Sequence, residues 1–319
     1  MVRARLRWSR PGQTYARIDR PIDKAAFFRY RVRPHRPLPQ EDFKTLASMI
    51  TTPADITSQI TWRFSRPVRS PIGDEMNKLN IVDSYNAYVS RLAPNNQQQA
   101  LETAIGGEFK AFGIVEREML RFYGLRPDSE LIDVGCGSGR LTLALFEYLT
   151  VGEYIGTDVV PALIEHAKTH ARPSWKFHLV TSLTIPAADA VADFVCLFSV
   201  LTHLLHEQTY VYLQECRRVL RPGGRIVFSF LEFTEPSHWK VFESTVADAI
   251  DIGGHPLNVF IPREAITIWA QHLDLTVVEI RSGADAFVPL PHPVVLDDGR
   301  VLESKGNLGQ SICVLERPV

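Results

Sequence analysis

The stretch Ile132–Gly139, IDVGCGSG, puts glycine at alternating positions directly after a short apolar run. A backbone stripped of side chains so regularly is either a tight turn or a seat for a ligand, because a missing Cβ permits positive φ and close approach. The surroundings separate these readings. ELIDVG reads as a buried strand and GRLTLALFEYLT as a helix, so Gly135, Gly137 and Gly139 fall at a strand-to-helix junction.

The same alternation continues in both directions. Upstream, LETAIGGEFKAFGIVEREMLRFYG has apolar residues near a helical period and ends at Gly124. Downstream, EYIGTDVV reads as strand, PALIEHAKTHA as a helix opened by proline, and WKFHLV as strand. ADFVCLFSVL (strand), HEQTYVYLQECRRVL (helix) and RPGGRIVFSFL (turn, then strand) follow, and REAITIWAQHL (helix), TVVEI and SICVLE (strands) close the chain. Strands alternating with helices of this length predict a doubly wound α/β sheet, with ligands at the carboxyl ends of its strands.

Glycine spacing narrows the ligand. A dinucleotide fingerprint requires G-x-G-x-x-G, whereas here the third glycine comes one residue early; a Walker A turn would require Gly-Lys-Ser/Thr, which is absent. Asp158 ends the second strand, 23 residues after Gly135. A carboxylate there can accept hydrogen bonds from both hydroxyls of a ribose.

Taken together, LIDVGCGSGRL, YIGTDVV, ADFVCLFSVLTHLL and ECRRVLRPGGRIVFSF resemble the class I S-adenosylmethionine-dependent methyltransferases over roughly 106–319. The resemblance implies a seven-stranded Rossmann-like sheet with a terminal antiparallel hairpin, TVVEI and SICVLE being its last two strands. It implies S-adenosyl-L-methionine as cofactor, with Gly135, Cys136, Gly137 and Gly139 against its methionine moiety and sugar. Asp158 would hold the ribose with Val159 beside it, Asp133 would lie near the amino end, and Ser199 would join the set after the fourth strand. One departure stands out. Where the family commonly has an Asp contacting the adenine amino group, this chain has Thr181 or Ser182.

Methyl transfer is an in-line displacement, and a hydroxyl acceptor must also lose its proton. His203, in SVLTHLL, falls at the sheet's carboxyl edge, where an imidazole can act as base or can position substrate or cofactor by hydrogen bonding. Both roles stay open. No Asn-Pro-Pro-Tyr signature follows the fourth strand and no pair of catalytic cysteines is present, which points away from base methylation. The leading expectation is O-methylation of a small-molecule or sugar-containing metabolite in a biosynthetic pathway. The alternatives are N-methylation of a small molecule, or an enzyme modifying RNA or protein. An insertion at about 231–260, with His238, Trp239 and His255, and the helix carrying Phe109 and Phe112 are candidates for the acceptor pocket and its lid.

Composition sets the outer bounds. The chain has 319 residues, 45% of them hydrophobic, and a formal net charge of -1, which argues against a nucleic-acid partner. Nine Arg and one Lys face two Asp between Met1 and Pro34, but they are interspersed with apolar residues rather than blocked. Cys136, Cys196, Cys216 and Cys313 are far apart without a C-x-x-C, which suits buried free thiols and no structural metal. The charged start without an apolar h-region, and the absence of a long apolar run, predict a cytoplasmic protein without a membrane span. The polar SRLAPNNQQQA marks a boundary between an N-terminal extension, 1–100, and the 101–319 domain. The extension reads as an acceptor-recognition cap or a dimerisation arm, the latter implying a homodimer.

Overall fold

The computed structural model describes residues 4–6, 16–18, 97–251 and 258–319. Backbone contacts divide the chain into Met1–Arg69 and Ser70–Val319. Within the first unit, Ala4–Leu6 pairs antiparallel with Ala16–Ile18. The cap and dimerisation readings of 1–100 fall mostly outside the described residues.

The second unit is organised by a seven-stranded sheet. Its strands are β1 (Leu131–Val134), β2 (Tyr154–Asp158), β3 (Lys176–Leu179), β4 (Ala192–Leu197), β5 (Leu220–Phe230), β6 (Thr276–Arg281) and β7 (Ser311–Glu316). They lie in the order β3-β2-β1-β4-β5-β7-β6. The first five run parallel, while β7 is antiparallel to both β5 and β6. The chain order reverses at β1, whose neighbours are β2 and β4, and this is the crevice an open α/β sheet leaves for a ligand.

The connections are α1 (Gln97–Ala104), α2 (Phe109–Phe122), α3 (Arg140–Leu145), α4 (Pro161–Lys168), α5 (His206–Val219), α6 (Pro236–Asp251) and α7 (Arg263–His272). Parallel strands covered on both faces read as apolar runs, and β4 (ADFVCL) is of this kind. Alternation along β1 sends Ile132 and Val134 to the core shared with α5 and α7. Leu131 goes to the opposite core with Val115 and Met119 of α2 and Leu141 and Leu145 of α3. By the same alternation Asp133 belongs to the α2–α3 face, where a carboxylate needs partners.

Three local expectations change. The upstream helical segment is two helices, because Gly106 and Gly107 take φ of 94° and 69° and Glu108 follows at 53°. The helix after the glycines stops at Leu145, where the chain tightens into turns with Phe146 N donating to Leu143 O and Tyr148 N to Leu145 O. Arg221–Gly224 is not a separate turn before a strand: β5 runs through it, and pairing with β4 shifts register between Ala192 and Phe194. Gly223, at φ 77°, donates to Arg317 O, so the irregularity is stitched to the residue after β7.

DDGR forms the turn of a hairpin in which Val294–Val295 pairs with Val301–Leu302. The four cysteines are free and buried. No helix among the described residues is long and apolar enough to cross a membrane.

Candidate functional site: a cleft at the strand ends

A cleft of about 930 Å³, counted with the open solvent at its mouth, lies over the carboxyl ends of β1, β2 and β4. Its floor is the glycine loop. Gly135 N and Cys136 N both donate to Thr157 O, at 2.8 and 2.9 Å, which folds the loop back on β2. Gly135 and Gly137 take φ of 74° and 56°, and a Cβ at either would stand 2.4 Å from Val200 Cγ2 or 2.7 Å from Ile105 Cγ2. Both neighbours are cleft walls, so the alternating glycines keep floor and walls from colliding. Gly139 is not part of the wall. It precedes α3 at φ 94°, and a Cβ there would lie 2.7 Å from Ala167 Cα, so it serves the packing of α3 on α4.

Asp158 binds the loop to β2. Its Oδ2 accepts Gly137 N and its Oδ1 accepts Val160 N, each at 2.9 Å. Burial raises its pKa and these backbone donors pull it back, leaving it above the ordinary carboxylate value. Two ionised oxygens offer about four lone-pair sites, so two backbone donors leave acceptor capacity for a diol. Val159 and Cys136 also line the cleft.

Asp133 faces the same space from β1 with its carboxylate enclosed. Tyr154 donates its hydroxyl to Oδ2 at 2.7 Å, Thr142 lies 3.0 Å from that phenol oxygen, and Cys196 Sγ donates to Oδ1 at 3.5 Å. Burial dominates and pushes the carboxyl up to about 7, against the Tyr154 hydrogen bond. Glu116 on α2 and Arg140 on α3 complete this side as an ion pair of 2.6 Å. Burial raises the Glu116 carboxyl and the Arg140 charge opposes the rise. Arg140 also reaches the carbonyls of Ile105 and Gly107, tying the α1–α2 turn to the glycine loop's helix.

The opposite side is made by the segment after β4. Ser199 is a non-glycine residue at φ 58°, an unfavourable backbone held by side chains from elsewhere. Its N–H donates to Ser229 Oγ at 2.7 Å, Ser229 donates to Gln310 Oε1 at 2.7 Å, and Gln310 Nε2 returns to Ser199 Oγ at 3.0 Å. His203 ends the short 3-10 turn Leu201–His203 and lines the cleft, its N–H donating to Val200 O at 3.0 Å.

Asp133, Gly135, Cys136, Gly137, Asp158, Val159, Ser199 and His203 thus share one cleft. Thr181 and Ser182 do not join it. Both are exposed, and Ser182 Oγ lies 2.8 Å from Thr184 Oγ1, while Val180, whose N–H donates to Asp158 O, takes the lining position. Phe109 packs on His166 and His170, and Phe112 lies under the Arg140 guanidinium, so neither aromatic lines the cleft. His238 is buried, accepting Glu232 N and bonding Gly309 O; Trp239 is about half exposed, and His255 lies outside the described residues. Sequence reasoning missed Glu116, Arg140, Tyr212 and Gln310. Glu116 left a signal, a carboxylate in the i, i+4 row Phe112–Glu116–Leu120 of an otherwise apolar helix face.

Comparison with known proteins agrees with this geometry. Residues 132–228, from the glycine loop to β5, match the family described as "Methyltransferase domain". Over these residues the chain is similar to the class I S-adenosylmethionine-dependent methyltransferases. It is 32% identical over 139 residues to the malonyl-[acyl-carrier protein] O-methyltransferase of Hahella chejuensis, covering 43% of this chain and 47% of that protein. It is 36% identical over 115 residues to the ubiquinone biosynthesis O-methyltransferase of Cereibacter sphaeroides, covering 35% and 43%. The chain therefore spans less than half the length of either relative. In fold, it is similar to a chain of the complex between the Haloferax volcanii Trm112 methyltransferase activator and a methyltransferase, with a TM-score of 0.51 and 17% identity over 75% of this chain and 98% of that one.

The cleft fits the methyltransferase cofactor on its own chemistry. The side-chain-free floor allows close backbone approach, Asp158 retains acceptor sites for a ribose, and Asp133, Glu116 and Arg140 offer both signs of charge to an amino-acid zwitterion.

Proposed function

We propose that this protein transfers a methyl group to an oxygen of a small-molecule or sugar-containing acceptor. The observation that carries the reading is the convergence of the glycine loop, Asp158 and His203 on one cleft at the strand ends. When bound, S-adenosylmethionine supplies an electrophilic methyl group on a sulfonium sulfur. Gly135 and Gly137 admit it, Asp158 holds the ribose, and the Asp133, Glu116 and Arg140 group receives the amino-acid end. The residues after β4 then decide what can react. Ser199 fixes the start of the His203 turn, and Thr202 fixes its middle, donating to Ser199 O at 3.0 Å and accepting Val259 N at 2.7 Å. An imidazole so placed takes the proton from an acceptor hydroxyl as the new bond forms.

The two sequence relatives, both O-methyltransferases, support oxygen as the accepting atom. The test is His203→Gln assayed against a panel of hydroxylated sugars, phenols and carboxylates, beside calorimetric titration with S-adenosylhomocysteine. Turnover should fall by about a hundredfold or more, the usual contribution of a positioned acid or base, with affinity kept within a few-fold. An equal fall in turnover and affinity overturns the base assignment. Methylation of amines alone, unaffected by the substitution, overturns the oxygen reading.

A further inference from the structure

The cleft is chemically divided around Asp158. Its charged residues other than Asp158 come from β1, α2 and α3: Asp133, Glu116 and Arg140. The segments after β3 and β4 contribute mainly apolar surface, Val180, Phe198 and Leu204 among it. A ligand with an amino-acid zwitterion at one end and a flat heterocycle at the other has one low-cost orientation there, because desolvated charge requires charged partners and a purine face does not. The heterocycle's polar edge still needs hydrogen bonds in such surroundings.

Tyr212 stands on that apolar side. It projects from α5, lines the cleft and is 5% exposed. Its hydroxyl makes no hydrogen bond among the described residues, yet it is not one of the fully enclosed orphan atoms such as Trp175 Nε1 and Thr209 Oγ1. A buried phenol on the cleft wall with no hydrogen bond among the described residues is a hydrogen-bonding group held in reserve. It stays protonated across the physiological range, burial above all, with the neighbouring Asp158 carboxylate, pushing it up to about 12. The acceptor sites that Asp158 keeps beyond its two backbone donors are those assigned above to the ribose diol. Thr181 and Ser182 are turned out to solvent.

We infer that Tyr212 is a specificity residue for the purine of the cofactor, its phenol oxygen accepting a hydrogen bond from the exocyclic amino group. This rests on the cofactor reading given above, and the two can fail separately.

The experiment compares binding of S-adenosylhomocysteine and of its 6-deamino analogue, in which hydrogen replaces the amino group, to the full chain and to Tyr212→Phe. The wild-type protein should prefer S-adenosylhomocysteine by about three- to tenfold, the worth of one uncharged hydrogen bond. Tyr212→Phe should lose that preference while binding the analogue as the wild type does. Unchanged preference in the variant overturns the assignment, as does an equal loss for both ligands. A wild-type protein that binds both ligands equally well overturns it without recourse to the variant. A wild-type protein that binds neither overturns the cofactor reading and this inference with it.

Discussion

The two sides of the cleft are built by different means. On the glycine-loop side the anchoring bonds are backbone donors or carbonyls between neighbouring strands: Gly135 and Cys136 to Thr157 O, and Gly137 to Asp158, 21 residues on. Across the cleft, Ser199 sits in a disfavoured backbone conformation because Ser229, 30 residues away, and Gln310, 111 residues away, hold it with side chains. The first side depends on what the chain must do to turn from strand into helix. The second depends on which side chains the finished sheet brings together. A substitution on the first should therefore disturb cofactor binding or stability, and one on the second should disturb reactivity first.

The largest expected effect tests how far the glycine-loop side carries uncompensated burial. Asp133 titrates at about 7 in the folded protein against a reference of 3.8, so the folded state holds a proton that the unfolded state has released. Stability from this group is therefore greatest below the unfolded pKa and falls as pH rises through the folded one. At 1.36 kcal/mol per unit, the loss reaches about 4 kcal/mol, of which about 2–3 kcal/mol falls between pH 5 and pH 8. Asp133→Asn keeps an acceptor for the Tyr154 hydroxyl and removes the titration. Urea unfolding of both proteins at pH 5 and pH 8 should show the variant gaining on the wild type by that amount. Parallel pH profiles would show that Asp133 is charged and compensated at both pH values, which would make the side as well paired as its opposite.

Asp158 sharpens the comparison from the same side. Its carboxylate both closes the loop and keeps acceptor sites toward the cleft. Asp158→Ala should weaken S-adenosylhomocysteine binding at least about tenfold, or about 1.4 kcal/mol, since a charge-assisted pair of hydrogen bonds is lost with the loop's restraint. Calorimetry reads this directly. Affinity unchanged within twofold would remove Asp158 from the ribose and leave it a loop brace.

This division also explains what could be read before the fold was known. Gly135, Gly137 and Asp158 were legible because positive φ and a strand-ending carboxylate are local demands with few residue solutions. β1, β2, β4 and β5 were legible because parallel strands in the interior of the sheet give compact apolar runs between helical periods. Gly139 was read as cofactor-facing because sequence spacing does not reveal that a Cβ there would strike Ala167. Thr181 and Ser182 were placed by offset from β3, but Val180 takes the inward position by its bond to Asp158 O. Tyr212 looked like one more apolar-face residue of a helix, and nothing near Ser199 in sequence announces Gln310.

The smallest expected effect belongs to Gln310, and it isolates the side-chain-built wall. Gln310→Leu is close in volume and removes both amide contacts, leaving the Ser199 N–H on Ser229 intact. The left-handed Ser199 backbone then keeps one of its supports, so the turn carrying His203 loosens without collapsing. S-adenosylhomocysteine affinity should stay within about twofold. Turnover of an accepted hydroxyl substrate should drop about three- to tenfold, the scale of one or two neutral hydrogen bonds acting on alignment. Gln310→Glu, which retains an oxygen for the Ser229 hydroxyl but not the donor to Ser199, should fall between the two. A matching loss of affinity and turnover in Gln310→Leu would mean that the Ser199 ring holds the cofactor rather than the reacting turn, and the two walls would then be one device.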